Sequence, residues 1–142
     1  MEKTDLKILW AEDSIGDILL IKEAFEQAGL VHRLDIVSDG AEAMDYLFRR
    51  ARYARTSHPD LIILDLNMPK KSGKEVIEEI KTDTELNRIP LVVLTSSSGE
   101  SDVLQGLDPK RSLYIVKPTS FQELIAMANQ IRDFLTSLSK SE

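Results

Sequence analysis

Three carboxylates, a hydroxyl and an ammonium stand at the ends of four short apolar runs in this chain. Leu6 to Ala11 leads into Glu12 and Asp13, Leu61 to Leu64 into Asp65, Leu91 to Leu94 into Thr95, and Leu113 to Val116 into Lys117. If the runs are strands of one open parallel sheet, their polar followers meet in the crevice outside the carboxyl ends, where such sheets bind ligands. Two like charges about 4 Å apart repel by roughly 4 kcal/mol at an effective dielectric near 20, so clustered carboxylates call for a cation. Mg²⁺ suits the set, because it takes one or two carboxylates, a backbone carbonyl and retained waters. Asp65 follows the most apolar run, Leu-Ile-Ile-Leu, and precedes the turn Asn67-Met68-Pro69. It is the candidate nucleophile towards phosphorus, with Lys117 as a point charge for the incoming phosphoryl group and Thr95 as a hydroxyl donor.

Positioning those residues requires alternating strands and helices, and the pattern supplies them. Apolar runs of about four to six residues alternate with amphipathic segments of helical period, the signature of βα units around a parallel sheet. Helix one is expected from Ser14 to Ala28, with Ile15, Ile18, Leu19 and Phe25 inward and Gly29 as terminator. Leu34, Ile36 and Val37, flanked by Arg33, Asp35 and Ser38, form a half-exposed second strand suited to a sheet edge. Helix two is expected over Ala41 to Arg52, burying Ala43, Met44, Leu47 and Phe48, with a loop from Tyr53 to Pro59 after it. Ser72 with Glu75 reads as a capping box before a third helix whose inner face is Val76, Ile77 and Ile80. A short, mobile fourth helix falls within Glu100 to Leu107, and Ser120 with Glu123 repeats the capping box before a fifth. The expected fold is α/β, a doubly wound five-stranded parallel sheet in the order 2-1-3-4-5.

Composition narrows the function. The 142 residues are expected to form one domain, with its core from about Leu6 to Leu138 and no output domain after it. A net charge of -6 argues against attraction to nucleic acid or to an anionic membrane. With no cysteine, thiolate catalysis and cysteine metal cages are excluded. No leader and no membrane-spanning run is read, so a cytoplasmic location is expected.

Taken together, Glu12-Asp13, Asp65 with Leu66-Asn67-Met68-Pro69 and Gly73, Thr95-Ser96, and Tyr114 with Lys117-Pro118 resemble the response-regulator receiver domains of two-component signalling. The pieces come in that family's order and span nearly the whole chain. The resemblance implies a (βα)5, flavodoxin-like fold and a phosphoryl group received from a sensor histidine kinase. It implies Asp65 as phosphoacceptor, Asp13 as a direct metal ligand, Glu12 acting through metal-bound water, and Asn67 giving its backbone carbonyl. Lys117 would pair with the acceptor and then with the phosphoryl group, and the Lys117–Pro118 bond would be cis. Thr95 and Tyr114 would be the switch pair that reshapes the face of helix four, strand five and helix five. The Tyr53-to-Pro59 loop and the Asp-Leu-Asn-Met-Pro-Lys-Lys-Ser-Gly run look like the small regulators that partner bacterial phytochromes.

Each feature also has an ordinary reading. Glu12 and Asp13 suit the N-terminus of a helix, Asp65 and Lys117 a plain strand end, and Thr95 a β-branched strand residue. Tyr114 suits the sheet edge, and Asn67 suits a turn. His32 and His58 read as loop histidines, and Arg49, Arg50, Arg52 and Arg55 as a solvated helix end. The wide apolar surface of helix five, Phe121 to Leu138, reads as core with a surplus that would suit a homodimer. A dehalogenase-type phosphatase would need an acid where Asn67 stands, and a phosphate loop would need glycine where Met68 stands. The remaining alternative is a receiver-like protein-binding scaffold not regulated by phosphorylation.

Overall fold

The computed structural model describes residues 6–12, 18–30, 32–66, 68, 70–96 and 105–140. Five parallel strands, β1 (Leu6–Ala11), β2 (His32–Val37), β3 (Leu61–Asp65), β4 (Leu91–Thr95) and β5 (Ser112–Val116), form one sheet in the order β2-β1-β3-β4-β5. The expected order is therefore observed. Every residue of β3 and β4 is buried, as continuous apolar runs covered on both faces should be. At the edge β5 most positions are only half-buried. His32 opens β2 rather than lying in a loop, because the strand extends two residues before Leu34 to pair Leu6 with His32.

The helices divide between the faces. On one side α2 (Gly40–Leu47) and α3 (Gly73–Thr82) pack Met44, Leu47, Ile77 and Ile80 against Leu9, Ile62, Leu64 and Val93. On the other, α1 (Ile18–Gln27) and α4 (Phe121–Lys140) pack Ile21, Phe25, Met127 and Ile131 against Ile8, Trp10, Ile63 and Leu94. The expected fifth helix is thus α4. Much of its apolar surface is core, while Phe121, Leu124, Ile125, Phe134 and Leu135 are partly buried against it. Among the described residues no helix is long and apolar enough to cross a membrane.

Several boundaries and faces differ from the sequence reading. Ser14 and Ile15 lie outside the described residues. Leu19, expected inside, is 76% exposed, while Ile21, Ala24, Phe25 and Ala28 form the inner stripe. At roughly 100° per residue, Leu19 falls opposite that stripe, so its hydrophobicity is overridden by its phase. Helix two ends at Leu47 rather than Arg52, where a paired turn closes it: Arg49 N–H donates to Tyr46 O and Arg50 N–H to Asp45 O. Arg49 takes φ 56° in that turn, a conformation glycine adopts more cheaply. A short 3₁₀ turn follows at Ala51–Tyr53. The arginine cluster is occupied locally, with Arg52 on Glu42 and Tyr53, Arg49 near Glu85 and Arg50 over the Phe48 ring. Of the expected fourth helix, residues 100–104 lie outside the described residues, and 105–107 form a turn.

Caps fix the helix starts. Ser72 and Glu75 form the full reciprocal box at α3. At α4, Ser120 Oγ accepts from Glu123 N–H, but Glu123 reaches back to Thr119 N–H at 2.7 Å rather than to Ser120. Asp39 caps α2, accepting from Glu42 N–H at 2.7 Å.

Candidate functional site

The carboxyl ends of β1, β3 and β5 bring Glu12, Asp65 and Lys117 together. Side chains alternate across a strand. Trp10, Ile63 and Ile115 belong to the cluster under α1 and α4, so Glu12, Asp65 and Lys117, two residues further on, leave the sheet on that same side. Lys117 Nζ donates to Asp65 Oδ2 at 3.0 Å and lies 3.6 Å from Glu12 Oε2. The other oxygen of Glu12 accepts from the Trp10 indole N–H at 3.1 Å. Asp65 is 1% exposed, and Glu12 is buried beside it.

Two buried carboxylates thus share one ammonium. Burial pushes the Glu12 carboxyl above the ordinary range, and the Asp65 charge adds to this, while Lys117 and the Trp10 N–H oppose it. Burial by itself would depress the Lys117 ammonium. The Asp65 hydrogen bond and the charges of Glu12 and Asp65 outweigh that, so its pKa stands above the ordinary lysine value. The surplus negative charge and the all-oxygen donor set fit a hard divalent cation. Asp13 and Asn67, expected to complete such a site, lie outside the described residues. Among the described residues no group of three metal-ligating side chains occurs.

Backbone packing holds the acceptor strand against α3. Gly73 N–H donates to Leu66 O at 3.0 Å, and a Cβ at Gly73 would lie 2.4 Å from Asp65 O. Only glycine allows that approach. A Cβ on Gly40 would likewise lie 1.8 Å from Lys71 O, so the connection between Leu66 and Ser72 is confined at both ends.

Thr95 ends β4 at the same rim. It is fully buried and in step with Leu91 and Val93, which face α2 and α3, so it leaves the sheet on the side opposite Asp65. Tyr114 lies on that same side, half-buried, in register with Val93. A main-chain bond links β4 and β5 here: Lys117 N–H donates to Thr95 O at 2.7 Å. The Lys117–Pro118 bond is trans, against the expectation, since there is no cis peptide among the described residues. Trans is the lower-energy isomer before proline, and in it Lys117 already makes both its strand bond and its Asp65 contact.

This constellation sits in a recognisable sequence. Residues 8–129 match the response regulator receiver domain family. The chain belongs to the response-regulator receiver domains. Response regulator Rcp1 of Synechocystis is 40% identical over 127 residues, covering 89% of this receiver and 86% of Rcp1. The solved structure of the phosphorylated cyanobacterial phytochrome response regulator RcpA superposes with a TM-score of 0.79 at 41% identity, covering 94% and 96% of the two chains. That of the Mn²⁺-bound form of Rcp1 gives 0.76 at 38%, covering 92% and 94%. The receiver therefore belongs to two-component signalling, and its five-stranded sheet is the one its relatives share. Sequence reasoning found Glu12, Asp65 and Lys117. It missed the bond from Trp10 to Glu12, whose signal was an indole two residues before an acid on the same strand face.

Proposed function

We propose that Asp65 accepts a phosphoryl group from the phosphohistidine of a sensor kinase, in a Mg²⁺-dependent transfer within the pocket of Glu12, Asp65 and Lys117. The observation that carries the reading is the buried Asp65 carboxylate, held 3.0 Å from Lys117 Nζ where three strands end. An Asp65 oxygen forms the new bond to phosphorus as the phosphorus–nitrogen bond breaks. The electron pair stays on the imidazole, which takes up a proton. Lys117, already aimed at this carboxylate, pairs with the phosphoryl oxygens as their charge arrives beside Asp65. Asp65, Glu12, Asp13 and the Asn67 carbonyl would hold the ion, Glu12 through water; when bound, Mg²⁺ supplies the charge that neutralises the phosphoryl oxygens.

Thr95 supplies a hydroxyl from the opposite face at the rim, and Tyr114 beside it provides the group whose packing responds. Water later hydrolyses the acyl phosphate, returning Asp65. Similarity to Rcp1 and RcpA supports a phytochrome-type histidine kinase as the donor, acting in the cytoplasm. The partly buried apolar side chains of α4 support a homodimer through that helix.

Incubation with Mg²⁺ and acetyl phosphate tests the reading. The expected result is a base-labile, acid-stable mass increase on Asp65, absent from Asp65→Asn. No modification at any donor concentration would favour the scaffold that phosphorylation does not regulate.

A further inference from the structure

The chain has a single tryptophan, and it touches the acidic pocket. Trp10 occupies the middle of the sheet, paired with Ile36 on one side and Ile63 on the other. Its ring is 3% exposed and stacks on Phe25 of α1, with centroids 6.1 Å apart and planes inclined by 15°. Phe25 is itself fully buried. Within this buried stack the Trp10 N–H donates to Glu12 Oε1 at 3.1 Å.

That bond divides the labour of the Glu12 carboxylate. Oε1 is tied down inside the protein, while Oε2 alone faces Lys117 at 3.6 Å. An aliphatic residue at position 10 would fill core volume but leave Oε1 short of a donor in a buried setting, which is costly for a carboxylate. A buried tryptophan needs a partner for its N–H, and a carboxylate is a strong one.

We propose that Trp10 is a positioning residue of the acidic pocket: its indole N–H holds Glu12 so that one oxygen alone is presented to the water shell of the bound cation, and through that bond its fluorescence reports cation binding. The inference rests on the reading of Glu12 as acting through metal-bound water. Groups that orient a site's outer ligands are worth roughly 10–100-fold in metal affinity, and Trp10 acts one step further out, so a smaller effect of about 3- to 10-fold is expected.

Calorimetric Mg²⁺ titration of the full chain, as wild type, Trp10→Phe, Glu12→Ala and the double variant, tests it. Phenylalanine keeps an aromatic ring facing Phe25 and removes the donor, with some loss of core volume. Trp10→Phe should weaken Mg²⁺ binding by roughly 3- to 10-fold, and the effect should disappear in the Glu12→Ala background, because without the carboxylate the indole N–H has nothing left to orient. Equal affinities of wild type and Trp10→Phe, or a loss that persists in full without Glu12, would overturn the inference. Wild type that binds no Mg²⁺ would instead remove the underlying metal reading. Should Trp10→Phe fail to fold, wild-type emission decides: it should change with the calorimetric midpoint, and flat emission during binding would refute the link from Trp10 through Glu12 to the cation.

Discussion

Lys117 and Asp65, 52 residues apart, form a single 3.0 Å hydrogen bond at the end of the sheet, and Glu12 Oε2 lies 3.6 Å from the same ammonium. One cation serving two buried carboxylates makes the lysine a structural as well as a chemical element.

Lys117→Met should therefore destabilise the metal-free protein. Removing one member of a buried pair costs about 3–5 kcal/mol, and the 25% exposure of the Lys117 side chain lowers this to about 2–3 kcal/mol. Urea unfolding in chelator-treated buffer measures it, and Mg²⁺ should restore part of the loss. A variant within about 0.5 kcal/mol of wild type would show that the carboxylates do not depend on the ammonium.

Gly73→Ala should cost about 1–3 kcal/mol, because the added methyl would sit 2.4 Å from the main-chain oxygen of Asp65, which cannot rotate away. Its phosphorylation by acetyl phosphate should also slow, since the acceptor's own backbone must shift. Normal stability with a normal modification rate would refute the close packing.

Arg49→Gly should stabilise the protein. Left-handed backbone costs a side-chain-bearing residue about 1–2 kcal/mol, whereas the exposed 3.7 Å pairing of Arg49 with Glu85 contributes about 0–1 kcal/mol. A net gain near 0.5–1 kcal/mol in thermal or urea unfolding follows. Destabilisation would mean that the arginine's contacts to Glu85 and His58 outweigh the backbone strain.

Acid should weaken the start of α2. The Glu42 N–H bond, with help from Lys70 and the Ala41 N–H and against burial, holds the Asp39 carboxyl below its ordinary value. The unfolded chain thus binds this proton more readily, and the stabilisation is fully present above the unfolded pKa, about 3.9. It is lost as pH falls through the lower folded value. Asp39→Asn keeps an acceptor but cannot titrate, so its urea midpoint should approach that of wild type between pH 6 and pH 3. Parallel curves over that range would exclude Asp39 as a contributor.

The sequence disclosed what strand alternation and caps control. Glu12, Asp65 and Lys117 each follow an apolar run whose register carries the acid or amine to one rim, and Ser72 with Glu75 caps α3 as its spacing requires. What escaped depends on phase or on distant partners. Leu19 is hydrophobic but points away, since only the burial of Ile21, Ala24 and Phe25 reveals which side of α1 faces inward. Tyr46 is buried because its hydroxyl reaches Asp35 at 2.6 Å, a partner on another element that periodicity does not expose. The place of Thr95 opposite Asp65 was readable from parity, but a list of strand-end residues ignores which way each one points.

Acid and amine stand on one side of the sheet, threonine and tyrosine on the other, and the peptide of Lys117 is stitched to the peptide of Thr95. A lysine drawn outward by a newly arrived anion tugs on that stitch. If Asp65 takes up a phosphoryl group as proposed, the main chain itself offers that charge a route from one side to the other.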